Sequence, residues 1–99
     1  MDTSIRILVI RRAGKYSVWY QPYNDALFIH CDVYAKWTKT LKRELQRDFE
    51  QLISLSDQPL YVLAHLEDTK HHKFLRMFGF EQAHTVPYGN DEMKYLFIH

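Results

Sequence analysis

The sequence predicts an α/β (α+β) domain: a mixed, mostly antiparallel sheet of about six strands with two helices, in the order βββαβαββ. Three observations predict it. Short β-branched and aromatic runs recur between turn signals. Two other stretches repeat apolar residues every three or four positions. The longer of these lies between two strand-like runs, which demands a crossover and a parallel pair within a sheet otherwise linked by hairpins.

Taken in order, Ile5 to Ile10 (I-R-I-L-V-I) is short, β-branched and apolar, and reads as the first strand. Ala13-Gly14 then supplies a hairpin turn. Tyr16 to Tyr20 alternates and is aromatic, as a second antiparallel strand should. Pro22 to Asp25 (P-Y-N-D) is a turn cluster, because proline fixes φ and Asn and Asp bond their own backbone. The third strand is Leu27 to Val33, with Leu27, Ile29, Cys31 and Val33 on an apolar face and Phe28, His30 and Asp32 on the other.

Lys36 to Leu55 is the long helix. Leu41, Leu45, Phe49, Leu52 and Ile53 form its buried stripe, Trp37 extends the stripe by a turn, and Thr38 or Thr40 caps the start. Leu60 to Leu66 is nearly all apolar, as expected of a strand buried on both faces beneath helices. The short helix runs from Thr69 to Phe78, with Asp68 as N-cap and Gly79 at the left-handed position past its end. Phe74, Leu75 and Phe78 share the face it buries. Phe80 to Val86 and Met93 to Ile98 are the last strands, joined through Pro87, Tyr88, Gly89, Asn90 and Asp91.

A chain of 99 residues fits a single domain, 1–99. Three glycines and three prolines leave little room for flexible linker. An aromatic content of 15% gives a small core more buried area per side chain. No apolar run approaches the roughly 20 residues that span a bilayer, and there is no charged-then-apolar signal segment, so a cytoplasmic protein with no membrane association is expected. A net charge of +1 argues against a chain built mainly to coat nucleic acid. The single cysteine, Cys31, has no internal disulfide partner, and on an apolar strand face it reads as a small hydrophobe. His65, His71, His72 and His84 invite a metal, but adjacent helical residues point about 100° apart, so His71 and His72 do not converge on one ion and none is expected.

The stretch Asp68 to Glu81 (D-T-K-H-H-K-F-L-R-M-F-G-F-E), preceded by an apolar strand and followed by two more, resembles the C-terminal half of the GNAT family of N-acetyltransferases. The element order is similar to that fold from its second strand onward and covers nearly the whole chain. The family's N-terminal strand and helix pair, which form much of its acceptor groove, have no counterpart here. Short, degenerate proteins of this kind look like those of tailed bacteriophages, which would place the chain in the host cytoplasm or the virion.

The resemblance implies a coenzyme A site at the start of the long helix, where a glycine-bearing loop lets bare backbone meet the pyrophosphate. The equivalent stretch, V-Y-A-K-W-T-K-T-L-K-R-E-L from Val33 to Leu45, has no glycine. Val33, Lys36, Thr38, Lys39 and Thr40 are the residues a coenzyme would meet there. Asp68 matches an asparagine common at the start of the family's other helix. A tyrosine acid that many members carry is replaced by Leu75, which has no proton to give. His30 and Asp32 lie where the family often places a general base, against the plainer reading of a polar strand surface.

The expected function is therefore a GNAT-like module that has lost acetyl transfer and binds a protein partner or serves in assembly, with no cofactor. One alternative is an active N-acetyltransferase using acetyl-CoA with an atypical loop. A second is nucleic-acid or anion binding through the basic helix face carrying Lys36, Lys39, Lys42, Arg43 and Arg47, whose plainer reading is a solvated face softened by Glu44, Asp48 and Glu50. An uncovered edge on the Ile5 to Ile10 strand adds the expectation of self-association or incorporation into a complex.

Overall fold

A computed structural model describes residues 5–90 and 92–99. The fold class is the expected one: α+β, with a mixed sheet of six strands and two helices in the order βββαβαββ. The chain divides into two compact units, Met1–Leu60 and Tyr61–His99.

The first unit contains β1 (Ile7–Arg12), β2 (Tyr16–Tyr23), β3 (Ala26–Val33) and α1 (Lys39–Leu55). β1 starts and ends two residues later than Ile5 to Ile10 suggests. Its closing bond, from the Lys15 amide to the Arg12 carbonyl, places the turn at Ala13 to Lys15, with Gly14 at φ +74. The β2–β3 turn is shorter than the Pro22 to Asp25 cluster implies. Pro22 and Tyr23 pair with Leu27 and Ala26 inside the ladder, and the loop is Asn24-Asp25 alone, both at positive φ. That is the two-residue geometry whose twist matches the flanking strands. β1 pairs no further along β2 than Tyr20, so the missing Pro22 N–H costs no ladder bond on that side.

α1 begins three residues later than the Lys36 start. Thr38 is the N-cap, its Oγ1 accepting from the Leu41 amide at 3.1 Å. Trp37 therefore precedes the helix and is 42% exposed instead of extending the stripe. Leu41, Leu45 and Phe49 are buried as expected, and Tyr16, Val18 and Ile29 are the buried residues of the sheet face that α1 meets.

Asp48 lies in the same stripe and is 4% exposed. It is not a surface acid softening a basic face. Arg12 donates to it through Nε at 3.0 Å and Nη2 at 2.8 Å, and the Tyr16 hydroxyl donates to Oδ2. Burial pushes the Asp48 carboxyl up, but the two donors and the Arg12 charge outweigh it and hold the group below its usual value. Burial first, then the bond to Asp48, raises Tyr16 to about 12.

Register decides which arginine reaches Asp48. Ile7 pairs with Tyr20 and Leu8 with Trp19, but Ile10 pairs with Val18, so Val9 is an extra residue in a bulge. Were Val9 paired with Val18 and the bulge absent, alternation would carry Arg11 to the helix side. With the bulge, Arg12 sits beside Tyr16 on that side and Arg11 faces away.

The second unit contains most of β4 (Leu60–His65), then α2 (Thr69–Met77), β5 (Glu81–Tyr88) and β6 (Glu92–Ile98). β6 pairs antiparallel with both β4 and β5. Pro87 and Tyr88 are paired strand residues, not loop, and the outer position of β5 tolerates the proline. Asp91, expected in that connection, lies outside the described residues.

α2 stops one residue earlier than Phe78, which is its C-cap. The Phe80 amide donates to the Leu75 carbonyl and the Gly79 amide to that of Arg76, both at 3.0 Å, with Gly79 at φ +87. This is the paired closure that fixes a left-handed residue after a helix. Leu75, Phe78 and Phe80 are buried. β4 is not buried evenly on both faces: Leu60, Val62 and Ala64 are buried, Tyr61 and Leu63 half-buried.

Asp48→Ala is expected to cost about 1–3 kcal/mol in urea unfolding, because the buried Tyr16 hydroxyl loses its acceptor; an unchanged midpoint would show that the network is idle. Deleting Val9 should close the bulge and leave Arg12 beside Tyr16 and Asp48, because Ile10, Arg11 and Arg12 then follow Leu8 in the register they already hold. Arg12→Ala should then destabilise the deletion variant as it does the parent, while Arg11→Ala leaves the urea midpoint of both nearly unaffected; a loss on Arg11→Ala in the deletion variant would refute this register.

Candidate functional site

Cross-strand partners share a sheet face. Ser17 pairs with Asp32, Trp19 with His30 and Gln21 with Phe28, so these six residues lie opposite the α1 side. His30 and Asp32 are brought together there as alternate residues of β3. His30 is half-buried, and its Nε2 stands 2.5 Å from Gln21 Oε1. An amide oxygen only accepts, so Nε2 carries the proton and Nδ1 keeps its lone pair. Burial lowers the His30 pKa, nearby Arg6 lowers it further, and Asp32 opposes them. His30 is thus a neutral imidazole at pH 7 with one basic nitrogen uncommitted to Gln21. Beside it, the buried Trp19 Nε1–H has no hydrogen-bond partner among the described residues.

The residues expected to meet a coenzyme lie in several different surroundings. Val33 pairs with Tyr16, on the opposite face from His30 and Asp32. Beyond it, the Tyr34 and Ala35 amides both donate to the Lys15 carbonyl, at 2.8 and 3.2 Å. The Tyr34 hydroxyl reaches Ser17 Oγ at 3.3 Å. The Thr38 side chain takes the Leu41 amide. Three amides at the mouth of α1 therefore have partners before any ligand arrives. Lys36, Thr38, Lys39 and Thr40 are exposed there. Asp68 belongs to the second unit, where its Oδ1 accepts from the His71 amide at 3.1 Å as the cap of α2. Cys31 is pushed up to about 12 by burial and then by Asp32, which leaves it a protonated thiol at neutral pH.

Two features escape a reading of the residues alone. One is the Asp48 network, although position 48 fits the stripe spacing 41, 45, 48, 49. The other is what lies on the sheet side away from each helix. In the second unit α2 covers Tyr95 and Phe97: the His72 ring stands 5.1 Å from Tyr95 and 5.5 Å from Phe97, and Arg76 lies over Phe97 at 5.9 Å. The register then puts Leu63, Leu96, Ile98 and Val86 on the side without a helix, all half-buried. In the first unit the Leu8–Trp19 pair lies on the corresponding helix-free side. Alternating strands with water on one side usually carry polar residues there. Here aliphatic and aromatic residues are mixed with polar ones: Ser17, Gln21, His30 and Asp32 in the first unit, His84 and Lys94 in the second.

His72, buried on α2, donates from Nε2 to the His65 carbonyl at 2.8 Å. Burial lowers the neighbouring His71 pKa; Asp68 opposes this, and His72, His65 and Lys94 reinforce it. Among the described residues no group of three or more His, Cys, Asp or Glu side chains is placed to hold a metal ion, and no helix is long and apolar enough to cross a membrane.

His30 and His71 both have folded-state pKa values below the unfolded reference of about 6.5. On acidification the unfolded chain takes up these protons first, so their contribution is complete above about pH 6.5 and is lost as the pH falls toward the folded values. The urea midpoint should drop between pH 7 and pH 5, and a His30→Gln, His71→Gln double variant should show a shallower drop. Identical profiles for parent and variant would refute this assignment. Searches of family models, of curated proteins and of solved structures find no match to this chain.

Proposed function

We propose that the chain is a GNAT-like binding or assembly module that has lost acetyl transfer and acts by associating with protein through its helix-free sheet faces. The observation that carries this reading is the set of aliphatic residues Leu63, Leu96, Ile98 and Val86 on the face of β4, β6 and β5 away from α2. Apolar area left partly in water is a driving force for association, worth roughly 25 cal/mol for each Å² removed. The mouth of α1 supports the same reading: amides that a diphosphate would need already bond to Lys15 and Thr38. Leu75, where many GNAT members have a tyrosine, is a buried core residue without a proton to donate. No cofactor is required, and the proposed setting is the cytoplasm, or a virion if the chain is of phage origin.

A second reading, an active N-acetyltransferase with an atypical loop, is favoured by one observation. His30 is neutral and retains a basic nitrogen near Asp32, as a general base needs. The two readings differ in ligand linkage. A native-state ligand raises the melting temperature by mass action, so acetyl-CoA should leave it unchanged in a binding module.

For the binding module, light scattering should show association that grows with concentration. Leu96→Arg should abolish it while far-UV circular dichroism shows that the variant remains folded. A monomer at every concentration, together with a melting temperature raised by acetyl-CoA, would overturn the proposal in favour of a coenzyme-binding chain.

A further inference from the structure

β1 is the terminal strand of its sheet, and among the described residues no strand pairs with its outer edge. Such an edge is a template for another strand. Its apolar residues are accessible: Ile7 is 48% and Leu8 43% exposed. Arg6 precedes them and Arg11 follows them, both exposed. Arg12 is committed to Asp48, but Arg6 and Arg11 make no ion pair among the described residues. The arginines therefore bracket an apolar edge.

That bracketing selects the partner. In a two-fold β1–β1 pairing, the register that sets Ile7 against Ile10 and Leu8 against Val9 also sets Arg6 against Arg11. Like charges directly opposite each other destabilise a strand pair. A one-residue shift sets Arg6 against Arg12 in one direction, again arginine on arginine, and in the other sets Arg6 against Ile10 and Arg11 against Ile5. The edge is built against self-pairing and left open to a strand of opposite charge.

We infer that the outer edge of β1 binds an extended segment of a different protein, an alternating apolar strand with carboxylates at both ends, by strand addition. Main-chain hydrogen bonds along Ile7–Arg12 would supply affinity, Leu8 and Ile7 the apolar contacts, and Arg6 and Arg11 the selection. The inference is independent of the helix-free faces: association lost in Leu96→Arg reports on those faces alone, and peptide capture reports on the edge alone.

The test uses the full chain and three synthetic peptides with one Val-Thr alternating core: one with two glutamates at each end, one with two lysines at each end, and the glutamate peptide N-methylated along its backbone. Fluorescence anisotropy measures affinity, and amide hydrogen exchange locates the contact. The glutamate peptide should bind and protect amides of Ile7–Arg12, while the other two should not. Arg6→Glu and Arg11→Glu should each weaken it about fivefold, the scale of one cross-strand charge pair, and strengthen the lysine peptide similarly. Far-UV circular dichroism confirms that these surface variants remain folded. Equal binding of the glutamate and lysine peptides, binding that survives N-methylation, protection elsewhere than β1, no binding at all, or tighter binding of a single-stranded oligonucleotide than of the glutamate peptide would each overturn the proposal.

Discussion

A single carboxylate organises the first unit. Asp48 sits in the apolar stripe of α1, where an unpaired charge would be costly, and it is tolerable only because Arg12 and Tyr16 both donate to it. Those partners come from β1 and β2, so satisfying one side chain fixes the helix against two strands. The bulge at Val9 is part of the same arrangement, since it turns Arg12 rather than Arg11 toward the helix. The exposed Lys15–Glu44 pair at 3.0 Å lies along the same junction but adds little, being screened by water. What the Asp48 network contributes above all is register: it holds Arg12 beside Tyr16, and a slip of one residue in β1 would take Arg12 away from the carboxylate.

The junction also shapes the mouth of α1. The turn that carries Lys15 presents its carbonyl to the Tyr34 and Ala35 amides, and Thr38 closes the helix with its own hydroxyl. A segment that in a nucleotide-binding loop would offer bare amides is here tied to its own chain. This is a local effect of side chains, and it explains why the absence of glycine between Val33 and Leu45 has a structural counterpart. The neutral His30 lies on the other sheet face from Val33, so the two sets of residues first grouped as one site are separated by the pleat.

Each unit meets its helix with one sheet face and carries apolar residues on the other as well. Two-faced apolarity is what makes the β4 sequence look fully buried, because composition alone does not distinguish a face under a helix from one without. The arginines around β1 act in the opposite sense, limiting which strands can join that edge. Binding through faces and selection at an edge are separate physical devices, one driven by area and the other by charge.

Local chemistry in the sequence by itself determined the element order, the α1 stripe, the Asp68 cap and the closure after α2. These depend on spacing and on what Gly79, Asp68 and Thr38 do to their immediate backbone. Strand ends were less legible. Pro22, Tyr23, Pro87 and Tyr88 carry turn chemistry yet lie in ladders, because each sits where a neighbouring strand no longer needs its N–H or where the positive φ falls on Asn24 and Asp25 instead. Only the tertiary structure decided that Asp48 is buried, that Arg12 rather than Arg11 holds it, and that Leu63, Leu96, Ile98 and Val86 share the face away from α2. The physical reason is common to all three: a side chain's environment depends on register and on what packs above it, and neither is a property of neighbouring residues in the chain.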